Sequence, residues 1–170
     1  MSVRILPFLF NKRLGLKKRR QIKLLLSKYS IRYQLIDTKA MVLIYEVEQY
    51  VRLERNVEWK TFLKNSQAFK IYPNINLVVE LVKMGGKIDD LSLNVQDEDA
   101  EEDLISLLNG VTRGKNGLAE MPIEWVIKDF TFSLSGEFGV QQVTFNSNGV
   151  LTMLDYDAEL ITNMVLVAED

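Results

Sequence analysis

Apolar and polar positions alternate most regularly in the last third of the chain. Phe130, Phe132 and Leu134 interleave with Thr131, Ser133 and Ser135, and Val143 and Phe145 with Gln142 and Thr144. A period of two places each set on one face of a strand. Asn148-Gly149 follows, and Asn-Gly is the strongest short signal for a type I′ hairpin, because both residues tolerate positive φ. Residues 124–135, 140–146 and 150–155 are thus predicted to form a three-stranded antiparallel meander. Beyond it, Leu160, Met164 and Val167 recur at helical spacing, which favours a helix over a strand for Asp157 to Val167.

The first half mixes both periods. Val3 to Phe10 is apolar but contains Pro7, which removes a ladder donor, so an edge strand or extended arm is expected. Asn11 is placed to cap a helix in which Leu14, Ile22, Leu25, Leu26 and Tyr29 share one face. Ser30 to Ile36 alternates, and Met41 to Val51 is rich in β-branched and aromatic residues. Both read as strands, joined by a turn at Asp37-Thr38-Lys39. Asn56 is expected to cap a helix from Val57 to Lys64, with Trp59, Phe62 and Leu63 inward. Ala68 to Tyr72 reads as a short strand stopped by Pro73.

In the middle, Ile75 to Met84 fits either period. The Gly85-Gly86 stop and a cap at Asn74 or Asn76 favour helix. Leu91 to Val95 reads as a strand and Asp97 to Leu108 as a helix ended by Asn109-Gly110, with a glycine-bearing flexible loop over residues 110–120. The expected fold class is α+β in a single domain of 170 residues, with a mixed or antiparallel sheet; loop 110–120 is the one plausible place for a subdivision.

Charge changes this picture. Residues 1–39 hold eleven Lys and Arg against one acid, a net +10, whereas residues 40–170 hold ten against 22 acids, a net −12. The overall −2 conceals this polarity. Lys12, Arg13, Lys17, Lys18, Arg19, Arg20 and Lys23 crowd into twelve residues and make the first helix basic and amphipathic. Such a stripe suits phosphates of a nucleic acid, with counterion release driving binding, or an anionic membrane surface or protein. Solvated cations around a packed leucine face, or docking against the chain's own acids, are the plainer readings.

Asp97, Glu98, Asp99, Glu101 and Glu102 form the opposite patch, with Asp103 beside it. They suit a basic partner surface, but acids in a first helical turn also simply complement the dipole. An EF-hand is ruled out, since no Gly stands sixth from Asp97 and no spaced Glu follows.

The 170 residues contain no Cys and no His. Disulfides, thiolate chemistry, Ser-His and Cys-His mechanisms and His-ligated metals are therefore excluded, leaving carboxylates, Lys, Tyr or an oxygen-held hard cation for any chemistry. Gly110-Val-Thr-Arg-Gly114-Lys115-Asn116 has three residues between its glycines where a phosphate loop needs four, and Asn116 where Ser or Thr must reach Mg²⁺; Arg113 and Lys115 remain able to touch an anion. Asp37 with Glu58-x-Lys60 is the minimal pattern of Mg²⁺-dependent nucleases, short enough to arise by chance. Asp155, Asp157 and Glu159 would share a face on a strand and offer oxygen ligands, although a loop and helix start explain them equally well. Phe138, between Gly136 and Gly139, is expected on an exposed turn.

No apolar run reaches the roughly 20 residues of a membrane-spanning helix, and the apolar stretch precedes its basic cluster, the reverse of a secretory signal. A cytoplasmic setting is expected. The leading functional expectation is a non-catalytic accessory protein that uses charged surfaces on a protein partner, without a cofactor. Nucleic-acid binding through residues 12–23 is the alternative, and a Mg²⁺-dependent nuclease-like enzyme the third reading. The opposed charges also leave self-association into a homo-oligomer open.

Overall fold

From Ile5 to Phe10 every residue of the first strand is buried. This strand, β1 (Val3–Phe10), belongs to a computed structural model that describes residues 2–94, 97–110 and 126–169. Contacts group the chain into two compact units, Met1–Ile71 and Tyr72–Asp170. Of the loop 110–120, expected as a possible place for a subdivision, residues 111–120 lie outside the described ones. Among the described residues there are six helices and eight strands, and every strand pairing described below is antiparallel, so the chain is α+β.

In the first unit β1 leads to α1 (Leu16–Lys28), β2 (Arg32–Ile36), β3 (Ala40–Tyr45), α2 (Val47–Glu54), α3 (Val57–Asn65) and β4 (Ala68–Lys70). The strand order is β2-β3-β1-β4. Pro7 does not make β1 an edge: β1 pairs with β3 on one side, Pro7 opposite Val42, and with β4 on the other. The β4 ladder covers only Phe8 to Phe10, so it asks nothing of the missing proline N–H. Both β1 and β3 are apolar almost throughout, the pattern of strands covered on both faces.

Two boundaries differ from expectation. The predicted strand Met41–Val51 stops at Tyr45, because the Glu46 N–H donates to Gln49 Oε1 at 3.0 Å and α2 begins. That is half of a capping box without the usual Ser or Thr. Likewise α1 starts after Gly15 rather than after Asn11, so Lys12 and Arg13 precede the helix in the link from β1. Its buried residues Ile22, Leu25 and Leu26 are those the periodicity selects, and Leu14 is buried just ahead of it. The Asn56 cap forms as expected, Oδ1 accepting from Trp59 N–H at 3.0 Å. Trp59 and Phe62 stack at 5.6 Å and meet Phe8 and Phe10 edge-on, joining α3 to β1.

The second unit contains α4 (Ile75–Lys83), β5 (Lys87–Leu93), α5 (Glu98–Gly110), β6 (Ile127–Gly136), β7 (Gly139–Phe145), β8 (Leu151–Met153) and α6 (Ala158–Glu169). Its strands run β5-β6-β7-β8, and β6-β7-β8 is the predicted meander. Phe130, Phe132, Leu134, Val143 and Phe145 are buried, as their alternation requires. Helix wins at Ile75, where Asn74 Oδ1 accepts from Leu77 N–H at 2.9 Å and Gly85 takes φ +101° after the last turn.

The β7–β8 turn is not type I′. Gly149 has φ +80° while Asn148 is not in the left-handed region, and Asn146 O accepts from Gly149 N–H at 3.0 Å. Residues 147–149 thus form a three-residue loop with its glycine in the left-handed position, the next commonest hairpin type. Asn146 Oδ1 also accepts from the N–H groups of Asn148 and Val150, which favours this turn over the two-residue one.

Candidate functional site

The structural units sharpen the charge polarity. Residues 1–71 hold 16 Lys and Arg against five acids, a net +11; residues 72–170 hold five against 18, a net −13. The sign of charge therefore changes at a boundary of the fold.

In the first unit Lys17, Lys18, Arg19, Arg20 and Lys23 stand on α1, with Lys12 and Arg13 just before it. All are exposed except Lys18, which is half-buried and donates from Nζ to Asn65 O at 3.3 Å. Among the described residues of this unit none of the seven forms an ion pair with a carboxylate. Two large apolar side chains share their surface: Leu16 is 58% exposed and Leu24 is 75% exposed. Arg20 lies four residues from each, and three from Lys17 and Lys23, so helical spacing puts these five on one face. Periodicity finds the inward leucines, but it does not register the two left outside.

The acidic helix is partly committed to its own unit. Asp97 Oδ1 accepts from Ala100 N–H at 3.2 Å as the α5 cap, and Glu101 Oε1 accepts from Leu93 N–H at 3.0 Å. Glu98, Asp99 and Glu102 are exposed. Of the five predicted partner-binding acids, Asp97 and Glu101 hold α5 in place, and all but Glu101 are exposed. At the other end of α5, Asn109 receives the Ile88 N–H at 2.8 Å and donates to the Ile88 carbonyl at 2.9 Å, behaving as a one-residue strand partner for β5.

The remaining candidates do not converge. Glu58 and Lys60 are two apart on α3, a spacing that faces them away from each other, and Asp37 sits in the β2–β3 turn at φ +54°. Asp157 is not aligned with Asp155 and Glu159 on a strand. It is fully buried and accepts from the N–H groups of Glu137 at 3.2 Å, Phe138 at 3.1 Å and Leu160 at 3.1 Å. Burial works against its charge, but these backbone donors, together with that of Glu159, outweigh it and hold its carboxyl below the usual aspartate value. Among the described residues no three acidic side chains gather as a metal site. The motif Gly110 to Asn116, with Arg113 and Lys115, falls on residues outside the described ones after Gly110. Among the described residues no helix is long and apolar enough to cross a membrane.

Compared with protein-family models, with curated proteins and with solved structures, the chain matches none.

Proposed function

We propose that the protein is a non-catalytic binding protein that engages an acidic protein partner through the outward face of α1. The observation that carries this reading is the mixture on that face. Leu16 and Leu24 are exposed among Lys17, Arg20 and Lys23, cations that no carboxylate of their own unit neutralises. Apolar anchors ringed by one sign of charge suit a protein surface of opposite sign: the leucines supply burial, the cations supply encounter rate and register. A phosphate backbone would use the cations and leave the leucines in water. The net +11 of residues 1–71 would steer any such acidic partner.

The test compares wild type with Leu24→Ser and with Arg20→Glu in native co-purification and in binding to the recovered partner. Loss of the same partner in both variants, with unchanged thermal midpoints, supports the proposal. Retention unaffected by either overturns it. The second reading, nucleic-acid binding, is favoured by Lys12 and Arg13 extending the unpaired cations beyond the helix. It expects retardation of labelled DNA or RNA that falls steeply with salt and that Arg20→Glu weakens while Leu24→Ser does not.

A further inference from the structure

The second unit carries an apolar patch at one corner of its strands. Phe138, on the β6–β7 turn, is 69% exposed, Val140 is 69% exposed and Leu154 is 66% exposed. Val143 and Phe145 on β7 and Leu151 and Met153 on β8 are buried, so strand alternation turns Val140 and Leu154 to the opposite, outer face. The register Val143↔Met153 carries Leu154, the residue after β8, alongside β7. The backbone beneath the patch is fixed. Asp157 accepts from the N–H groups of Glu137 and Phe138, and Gln141 Oε1 accepts from Asp155 N–H at 3.4 Å.

The rim of the patch is acidic. Glu137 and Asp155 adjoin these side chains in sequence, and the bonds of Asp157 to the turn and to Leu160 N–H bring Glu159, at the start of α6, to the same corner. All three acids are exposed, and among the described residues none of them is in an ion pair. This is the charge-reversed counterpart of the outward face of α1, where Leu16 and Leu24 stand among Lys17, Arg20 and Lys23. The two faces belong to units of net −13 and +11, and both are exposed.

We propose that the acidic surface engaged by α1 is this corner of a second copy of the chain. The inference rests on the reading of α1 as a face for an acidic protein and names that protein. Leu16 and Leu24, about 12 Å apart along the helix, pack on Phe138, Val140 and Leu154. Lys17, Arg20 and Lys23 meet Glu137, Asp155 and Glu159, which sets register and rejects like-charged surfaces. Copies joined in this way use unlike surfaces, so the contact repeats into a ring or a chain of copies instead of ending at a symmetric dimer.

Sedimentation of the full chain between about 5 and 500 µM reads the contact directly. The expected result is a mass that rises with concentration past the dimer, through an association about tenfold or more weaker in high salt than in low. Arg20→Glu/Leu24→Ser blocks the helix and Phe138→Ser/Asp155→Lys blocks the patch. Each double variant should be monomeric with its thermal midpoint unchanged. An equimolar mixture of the two should form a heterodimer and stop there, because each keeps the surface that the other lacks. A wild-type chain that stays monomeric up to about 500 µM overturns the inference. Loss of some other acidic partner in Leu24→Ser would then still uphold the reading of α1, so the two fail separately. Self-association that survives in either double variant, or a mixture that remains monomeric, also overturns it.

Discussion

The carboxylate of Asp157 accepts the backbone N–H of Phe138 at 3.1 Å, nineteen residues back along the chain. It does so while also capping α6 through Leu160 N–H. One buried side chain thus clamps the β6–β7 turn to the start of the last helix. The Phe138 ring itself remains 69% exposed, on a turn whose backbone is fixed from below.

Removing this clamp strands several buried donors together. Asp157→Ala should lower stability by about 2–3 kcal/mol, combining a lost cap with lost charge-assisted bonds. Chemical denaturation followed by circular dichroism measures it.

Acid should erase the clamp's contribution. The native carboxyl is held below its usual value, so its stabilisation is complete above the unfolded aspartate pKa of about 3.9 and is lost as pH falls through the native value. The gap between wild type and Asp157→Asn in denaturation midpoint should be constant between about pH 5 and 8 and should narrow below about pH 4.

Gly136 is required by the same carboxylate. A Cβ at that position would collide with both carboxylate oxygens and the carbon between them. Gly136→Ala should destabilise the protein, and combined with Asp157→Ala the losses should fall short of additive by about 1 kcal/mol or more. A double-mutant cycle decides this.

Adjacent leucines on α1 should behave oppositely. Leu25 is buried, so Leu25→Ala should cost about 2–4 kcal/mol. Leu24 faces water, and Leu24→Ala should shift stability by no more than about 0.5 kcal/mol. Thermal melts of the pair check that the outward face can be altered without harm to the fold.

Asn109 offers a subtler test. Asn109→Asp keeps the shape and the acceptor for Ile88 N–H but replaces the donor to the Ile88 carbonyl with an oxygen. The expected loss is about 1–3 kcal/mol, and amide hydrogen exchange along β5 should rise with it.

The meander was legible because Phe130, Phe132 and Leu134 face one way on a sheet with a polar other side, and period two survives intact. Legibility failed where strands are covered on both faces. β1 and β3 lose alternation, so Pro7 suggested an edge and nothing marked Tyr45 as an end. The break there is made by Glu46 and Gln49, a pair with no Ser or Thr to announce it. Of the sites, the cationic cluster is contiguous and could be read directly. The pairing of β1 with β4 could not, because Phe8 and Lys70 lie far apart along the chain and meet only in the fold.

That pairing also dictates a timetable. A chain emerging from the ribosome exposes Phe8, Leu9 and Phe10 more than fifty residues before Ala68, Phe69 and Lys70 exist to flank them. Until then this apolar ribbon of the nascent protein stays open along one margin, adhesive to other chains. Synthesis slowed just short of residue 68 should therefore aggregate more than synthesis slowed just after the first unit is complete.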